Sequence, residues 1–366
     1  MEIDDILWLN ISAICAVSIN FLLIVLILKK SPKSLGSYKY LMIYINLFEF
    51  TYAILYFAEK PDLFTKKSAF FLIVNWRESI FPKFVACILD LLFVGFFGIS
   101  IAILALHFIY RFLSITNNRH LKSFDSWKII LWFMNPLLNG VTFMITGGII
   151  LCADQETNRF MKENYPGLIE NTTIIDDLYY MGPFFWPKLA NSSSEEYFSW
   201  KGAGGSLIVM GLISLSSSIM IYFGVKGYRS MNRLIAQTSC SEKFKSVQKQ
   251  LFHALVFQTL IPVVLMHIPA SAIYITIFFD KSTEIVGETL SLTIAMYPAL
   301  NPLPTIFIVK NYRKALKGKE INYIFHLNWE SISDVFVSLK NCVLGETRVT
   351  QVSAFSTQIT TGISTK

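Results

Sequence analysis

Ionisable side chains are rare inside the long apolar stretches of this 366-residue chain, and those that occur there are the first candidates for function. Asp90 and His267 could offer polar contacts to a small molecule, and Glu49 could coordinate a cation or hold polar neighbours. Arg111 stands at the end of an apolar stretch, where its always-charged guanidinium offers several hydrogen-bond donors. Charged groups are costly in a membrane interior, so we treat each of these side chains as a functional hypothesis.

Each of these residues also has a structural interpretation, which the sequence leaves open. Asp90 could be a capped carboxylate at the membrane interface, and His267 could bond to a neighbouring helix. Arg111 could extend along its own helix to reach lipid phosphates.

The motifs do not indicate catalysis or metal binding. We find no glycine-rich phosphate loop, no nucleophile elbow and no His/Cys cluster with metal-ligand spacing among the scattered cysteines. The sequence therefore predicts that the protein is not an enzyme and needs no metal or cofactor. A net charge of +7 would suit nucleic acid, but the basic residues lie where membrane topology requires them, so we expect no such partner.

Seven apolar runs of 19 to 29 residues must position these side chains. Each run is long enough to cross a hydrocarbon core of about 30 Å as a helix. Five runs contain no Asp, Glu, Lys or Arg, and the other two hold one acid each. The sequence predicts an all-α membrane protein, a seven-helix bundle in a membrane domain at 1–309, with spans at 6–28, 40–58, 84–108, 129–151, 203–223, 251–279 and 289–309.

The distribution of basic residues predicts the orientation of the bundle. The first loop, 29–39, carries four lysines and no acid, and basic residues also crowd the third and fifth loops and 310–319. The loop at 152–202 carries eight acids against four bases, whereas 59–83 is mixed, with five bases against three acids. Because basic loops stay in the cytoplasm, we expect the N-terminus outside and the C-terminus in the cytoplasm.

The outward-facing segments carry two candidate modifications. Asn171 and Asn191 lie in sequons within the long acidic loop, so we expect both to be glycosylated. Cys87 lies one turn into the third span from outside, and Cys152 lies just beyond the fourth span. Since that compartment is oxidising, a disulfide between them could fix the long loop over the bundle.

The segment at 310–366 is expected to form a cytoplasmic tail. Its first residues place Tyr312, Ala315 and Leu316 on one face and bases on the other, which is typical of a short amphipathic helix on the inner leaflet. A plain basic flank fits equally well.

Three strings carry a resemblance to a known family. Residues 107–113 read HFIYRFL at the inner end of the third span. VQKQLF (247–252) stands at the start of the sixth span, before ALVFQTLIP (254–262) and MHIP (266–269). The seventh span ends with YPALNPLPTIFIVKNYR at 297–313. In this order the strings closely resemble the nematode seven-transmembrane chemoreceptors of the Str serpentine type, and IYFGV at 221–225 is also similar to that family.

The resemblance implies a G-protein-coupled receptor that detects an odorant or pheromone-like small molecule and activates a heterotrimeric G protein. It also implies residence in the plasma membrane, in the cilium of a sensory neuron. Two alternatives stay open, namely an odorant-gated cation channel with seven spans and a secondary transporter. The basic first loop argues against the channel, and the lack of an internal repeat argues against the transporter.

The ligand site is predicted between the outer halves of the third, fifth, sixth and seventh spans. Pockets in helix bundles are mostly apolar, with a few placed polar groups. From their depth in the spans, we expect Asp90 and His267 to supply the polar contacts. The aromatic wall residues are expected to be Phe93, Tyr274 and Tyr297.

Signalling residues are predicted at the inner ends of the spans and at prolines. Tyr110 and Arg111 close the third span, and Arg111 could hold the helices together at rest and bind a partner when they part. Pro262 would kink the sixth span and let its inner end move. Asn301 and Pro302 form the Asn-Pro pair of the seventh span, but position 305 is Thr, so the Asn-Pro-x-x-Tyr sequence of rhodopsin-like receptors is incomplete.

Overall fold

The computed structural model describes residues 3–31, 35–170, 173–188, 195–236 and 241–317. Twelve helices occur in these ranges: α1 (Ile3–Lys30), α2 (Tyr38–Glu59), α3 (Lys83–Ile115), α4 (Ile129–Ile145), α5 (Gln155–Asn164), α6 (Pro166–Ile169), α7 (Trp200–Ala236), α8 (Glu242–Pro262), α9 (Ile268–Phe278), α10 (Glu284–Leu300), α11 (Leu303–Ile308) and α12 (Lys310–Lys317). Short 3₁₀ helices lie at Arg119–Asp125 and Ile175–Asp177.

The chain is a multi-pass membrane protein. Among the described residues, six helical segments are long and apolar enough to cross a membrane. Glu284–Ile308 and α12 together form a seventh such segment, with a bend of 93° between them. The sequence prediction of an all-α seven-helix membrane bundle is thereby confirmed.

Several helices extend beyond the apolar runs that predicted them. α3 continues seven residues past the run at 84–108, and α7 continues to Ala236. α8 begins at Glu242, nine residues before the run at 251–279. Hydropathy marks only the part of a helix that suits hydrocarbon, whereas backbone hydrogen bonding continues into polar residues.

The long helix α3 packs at the centre of the bundle against α2, α4, α7 and α8. Its contact with α4 is close because glycines leave room for side chains opposite. A Cβ atom at Gly98 would lie 2.5 Å from Phe143, and one at Gly140 would lie 2.5 Å from Ile99. Small residues of this kind let helix backbones approach each other in membranes.

Two helices are interrupted by π-helical turns. α4 continues into the turn Thr146–Ile150, and α8 continues through Val263–His267 into α9. Pro262 lies at the junction of α8 with its turn, where a missing N–H disrupts the α-helical bonding pattern. The seventh span is interrupted at Asn301 and Pro302, between α10 and α11.

A three-stranded antiparallel sheet covers one end of the bundle, which we call the sheet end. It consists of β1 (Asp62–Lys66), β2 (Ala69–Asn75) and β3 (Leu178–Met181), in the order β1–β2–β3. Phe64 pairs with Phe71, and Leu72 pairs with Met181. The sequence analysis did not predict this sheet. We call the opposite end, which carries α12, the tail end.

Candidate functional site

An apolar cavity of about 110 Å³ lies at the sheet end of the bundle. Its walls come from α3, α4 with its π turn, α7, α9 and α10. Phe93 and Phe97 project from α3 because they are four residues apart on one helix face. The lining side chains are nearly all hydrocarbon, so the cavity suits a small apolar molecule.

The sheet and the residues after β3 form the roof of this cavity, which we call the lid. Leu63, Phe70 and Leu72 face the cavity from the two strands of the hairpin. Gly182 N donates to Leu151 O at 2.9 Å. Gly182 has φ +153°, and a Cβ there would lie 2.0 Å from the Phe70 carbonyl oxygen, so this close approach requires glycine.

Hydrogen bonds and an ion pair fasten the lid to the turn between α9 and α10. Lys67 and Ser282 exchange backbone hydrogen bonds of 2.9 and 3.1 Å. Lys66 forms a 2.9 Å ion pair with Glu284 at the start of α10. Trp186 Nε1 donates to the Phe278 carbonyl oxygen at 2.8 Å. The lid is therefore tied to the helices that bear the sixth and seventh spans.

Two of the five predicted ligand residues line the cavity, namely Phe93 and Tyr274. The predicted polar contacts Asp90 and His267 and the predicted wall residue Tyr297 are not among the residues that line this cavity. The His267 ring packs edge-to-face against Phe97, a lining residue of the cavity, with ring centroids 5.5 Å apart. Asp90 is fully buried one turn before Phe93, and neither carboxylate oxygen has a hydrogen-bond partner among the described residues.

Tyr297 belongs to a polar cluster deeper in the bundle. Its hydroxyl donates to Glu49 Oε1 at 3.4 Å, and Asn301 Nδ2 donates to the same oxygen. Asn20 Nδ2 donates to the Pro298 carbonyl oxygen at 2.7 Å. These bonds join α1 and α2 to the seventh span close to its break at Asn301, and they give Glu49 the polar neighbours that the sequence suggested.

The predicted disulfide between Cys87 and Cys152 is absent, because Cys15, Cys87 and Cys152, the cysteines within the described ranges, are all free thiols. Cys152 Sγ instead lies 3.3 Å from the Ile149 carbonyl oxygen. The backbone of Cys152 forms a bridge with Met181, so pairing with β3 holds this part of the chain without a covalent bond.

Arg111 is buried near the tail end, with 1% of its surface exposed. Its guanidinium carbon lies 3.3 Å from the centroid of the Tyr38 ring on α2, and Nη1 donates to Gln248 Oε1 on α8 at 3.0 Å. Nε and Nη2 have no hydrogen-bond partner in the described part of the chain. Arg111 thus joins three helices rather than extending to lipid phosphates.

Neighbouring side chains hold this contact in place. The Tyr38 hydroxyl lies 3.3 Å from His107 Nδ1, and His107 Nε2 lies 3.2 Å from the Leu41 carbonyl oxygen. Tyr110 stacks on Tyr38 with ring centroids 5.2 Å apart. Tyr110 therefore supports the stack from α3. No motif in the sequence predicts the roles of Tyr38 and Gln248.

A helix cap beside the lid carries a perturbed carboxyl group. Burial alone would raise the pKa of Asp154, but hydrogen bonds from Lys201 and from the Thr157 N–H outweigh it and hold that pKa below its usual value. Lys201 Nζ lies 2.7 Å from Asp154 Oδ2. Asp154 and Thr157 form a reciprocal capping box at the start of α5.

Several sequence predictions lie outside the described residues. These include both glycosylation sites, Asn171 and Asn191, and the tail from residue 318 onward. Within the described part of the tail, α12 buries Tyr312 and Ala315. The Tyr312 hydroxyl lies 2.7 Å from Ser31 Oγ, which ties α12 to the end of α1.

Comparison with known proteins gives concordant matches along the chain. Residues 7–317 match the family model of the serpentine type 7TM GPCR chemoreceptor Str. The G-protein coupled receptor str-217 of Caenorhabditis elegans is 32% identical over 313 residues, covering 84% of this chain and 87% of that protein. The serpentine receptor class r-10 of the same organism is 28% identical, covering 79% and 83%. The crystal structure of squid rhodopsin shares the fold, with a TM-score of 0.56. The match covers 92% of this chain and 90% of the rhodopsin chain, at 12% sequence identity.

Proposed function

The chain belongs to the Str family of serpentine 7TM chemoreceptors, and from that premise we propose that it binds a small extracellular molecule in the apolar cavity and activates a heterotrimeric G protein. Its family and fold are those of G-protein-coupled receptors and not of enzymes. This membership favours the receptor over the cation channel and the transporter.

One observation carries the proposal: α3 contributes both to the cavity and to the Arg111 contact. Phe97 lines the cavity, and Arg111 lies 14 residues further along the same helix, about 21 Å away. A rigid helix of this kind connects a ligand at the sheet end to a partner at the tail end.

The proposed topology follows the basic loops. The sheet end, the N-terminus and the lid face the outside, and α12 faces the cytoplasm. Asn171 and Asn191 are then accessible for glycosylation. The receptor would reside in the plasma membrane, and its family suggests the cilium of a sensory neuron.

In the proposed mechanism the Arg111 contact marks the resting state. Ligand between α3, α7 and α9 moves α9, and the π turn after Pro262 passes this motion to α8. The break at Asn301 and Pro302 gives the seventh span a second point of flexure. Movement of α8 carries Gln248 away from Arg111 and opens the tail end, where the freed Arg111 guanidinium binds the G protein.

The test is a response screen of receptor-expressing cells against small molecules, followed by comparison of variants with an identified agonist. Arg111→Ala is expected to abolish the calcium or cAMP response while surface expression remains. Arg119→Ala is the matched control, because Arg119 is exposed in the loop after α3. A normal dose response of Arg111→Ala would refute the role of this contact in coupling.

If Arg111→Ala lowers surface expression, Arg111→Lys gives the decisive comparison. Lysine keeps the charge but lacks the planar, multi-donor fork. We expect a weakened maximal response at equal surface expression. An unchanged response would likewise refute the proposed role.

A further inference from the structure

We propose that the buried carboxylates of Glu59 and Asp90 bind one divalent cation, Ca²⁺, between α2 and α3 beneath the lid. The site is separate from the apolar cavity, because neither residue lines that cavity. The sequence suggested Asp90 as a contact for the signalling ligand, and it did not single out Glu59.

The packing of α2 against α3 brings the two carboxylates together. The helices run antiparallel, and their rings meet in successive pairs with centroids 4.9, 5.4 and 5.6 Å apart, namely Phe48–Phe96, Tyr52–Phe93 and Tyr56–Phe93. Glu59 lies three residues after Tyr56 on the same face of α2. Asp90 lies three residues before Phe93 on α3. Glu59 and Asp90 are therefore the next pair in this series, and their carboxyl groups interact electrostatically.

Both carboxyl groups are buried without a partner. The exposed fraction is 0% for Asp90 and 5% for Glu59. None of the four carboxylate oxygens has a hydrogen-bond partner among the described residues. A buried charge without a partner is costly, so four oxygens that meet neither water nor a donor point to a bound cation.

The lysines that are nearest along the chain do not neutralise the pair. Lys60 Nζ lies over the ring of Phe57, 5.7 Å from its centroid. Lys83 Nζ lies 5.5 Å from the centroid of the Trp76 ring. The titratable side chains of α3 and β3 that interact with Asp90 are not cations either, namely Cys87 and Tyr179. Two ionised carboxylates here would repel each other, and a cation from outside the chain would remove that repulsion.

The donor atoms favour Ca²⁺ over other ions. Carboxylate oxygens are hard ligands, and a charge of +2 balances both carboxylates, whereas Na⁺ would leave one of them uncompensated. Mg²⁺ keeps several waters and demands near-octahedral geometry, for which a site this buried leaves little room. With two charged ligands we expect a dissociation constant on the order of 0.1–1 mM, as in extracellular calcium modules.

A cation at this position would fasten the lid to the bundle. β1 begins at Asp62, three residues after Glu59, so the end of α2 determines where the hairpin starts. Holding Glu59 against α3 therefore holds the first strand of the lid.

The experiment follows thermal unfolding of the purified full-length protein in lipid nanodiscs, where both ends of the bundle meet the buffer. Protein stripped with EGTA receives CaCl₂, MgCl₂ or NaCl at matched ionic strength. We expect Ca²⁺ to raise the unfolding temperature saturably, with a midpoint on the order of 0.1–1 mM. Mg²⁺ and Na⁺ should give no saturable shift in this range.

Asp90→Asn and Glu59→Gln should each abolish the Ca²⁺ shift. In EGTA each variant should unfold at a higher temperature than the wild type, because one of two repelling charges is gone. Carboxyl groups with a purely structural role would give the opposite result, since their loss would lower the unfolding temperature. Glu288→Gln is the matched control, because Glu288 is exposed near the start of α10, and it should keep the wild-type shift.

The inference is overturned if Ca²⁺ leaves the unfolding temperature of the wild type unchanged, which would indicate that the two carboxyl groups share a proton instead. It is also overturned if Mg²⁺ acts equally, if the shift survives in either variant, or if it is lost in Glu288→Gln. Should Asp90→Asn fail to fold, Glu59→Gln gives the same comparison from the end of α2. No agonist or G protein is present, so these results leave the proposed receptor function untouched.

Discussion

Replacing Gln248 with methionine is expected to raise signalling in the absence of ligand. Methionine approximates the shape of glutamine but cannot accept the 3.0 Å hydrogen bond from Arg111. A hydrogen bond to a charged group contributes about 1.5–3 kcal/mol. If the bond exists only in the resting state, its loss shifts the equilibrium towards the active state by roughly 10- to 150-fold.

The effect on basal activity follows from that shift. A receptor that is about 1% active without ligand would become about 10% active at the lower limit. The assay is basal nucleotide exchange on the G protein, measured in membranes with matched receptor content. His253→Gln is the control, because His253 is half-buried on the same helix and its Nδ1 lies 2.8 Å from the Lys249 carbonyl oxygen, away from Arg111. Basal exchange that stays at the wild-type level, or falls, would refute the assignment of this contact to the resting state.

Three further predictions concern packing, pH and topology. Gly98→Ala should lower the unfolding temperature of the protein in nanodiscs, because the added Cβ would lie 2.5 Å from Phe143. Gly204→Ala is the control and should be neutral or stabilising, because a Cβ there has no neighbour within 4 Å. Equal effects of the two substitutions would contradict the close α3–α4 packing. Because its pKa is lowered in the folded protein, the ionised Asp154 carboxylate contributes to the free energy of unfolding fully above its unfolded pKa of 3.8, and this contribution is lost as pH falls through the folded pKa. The difference in the free energy of unfolding between wild type and Asp154→Asn should therefore shrink below pH 3.8. A difference that stays constant with pH would contradict this. Endoglycosidase should shift the mobility of the expressed protein, and the shift should diminish in Asn171→Gln and Asn191→Gln; no shift at either site would argue against an outer position of their loop.

The sequence predicts the membrane spans well because hydropathy is a local property. A lipid-facing helix must be apolar along its length, and this requirement is visible without knowledge of its neighbours. The sheet is different, because β2 pairs with β3 across about a hundred residues. The segment Ala69–Asn75 forms a short, nearly continuous apolar run, which does not reveal its pairing partner.

Depth in the membrane is also readable from the sequence, but the direction in which a side chain points around its helix is not. The sequence predicts Asp90 and His267 at the depth of a ligand site, yet neither lines the cavity. The sequence predicts a role for Arg111 from its position at the inner end of the third span, whereas its partners Tyr38 and Gln248 lie 73 residues before it and 137 residues after it. Which helices are neighbours, and which faces they share, depends on packing that no single span encodes.

The lid has a consequence for how receptors of this design can evolve. Leu63, Phe70 and Leu72 touch the cavity from a surface sheet, and that sheet shares no residue with the Arg111 contact at the other end of the bundle. Under the proposed function, substitutions in these strands after gene duplication would alter the ligand that one copy binds, while the residues of the Arg111 contact keep their original sequence. Diversification of detection then requires few changes, and each would be exposed to selection separately from signalling.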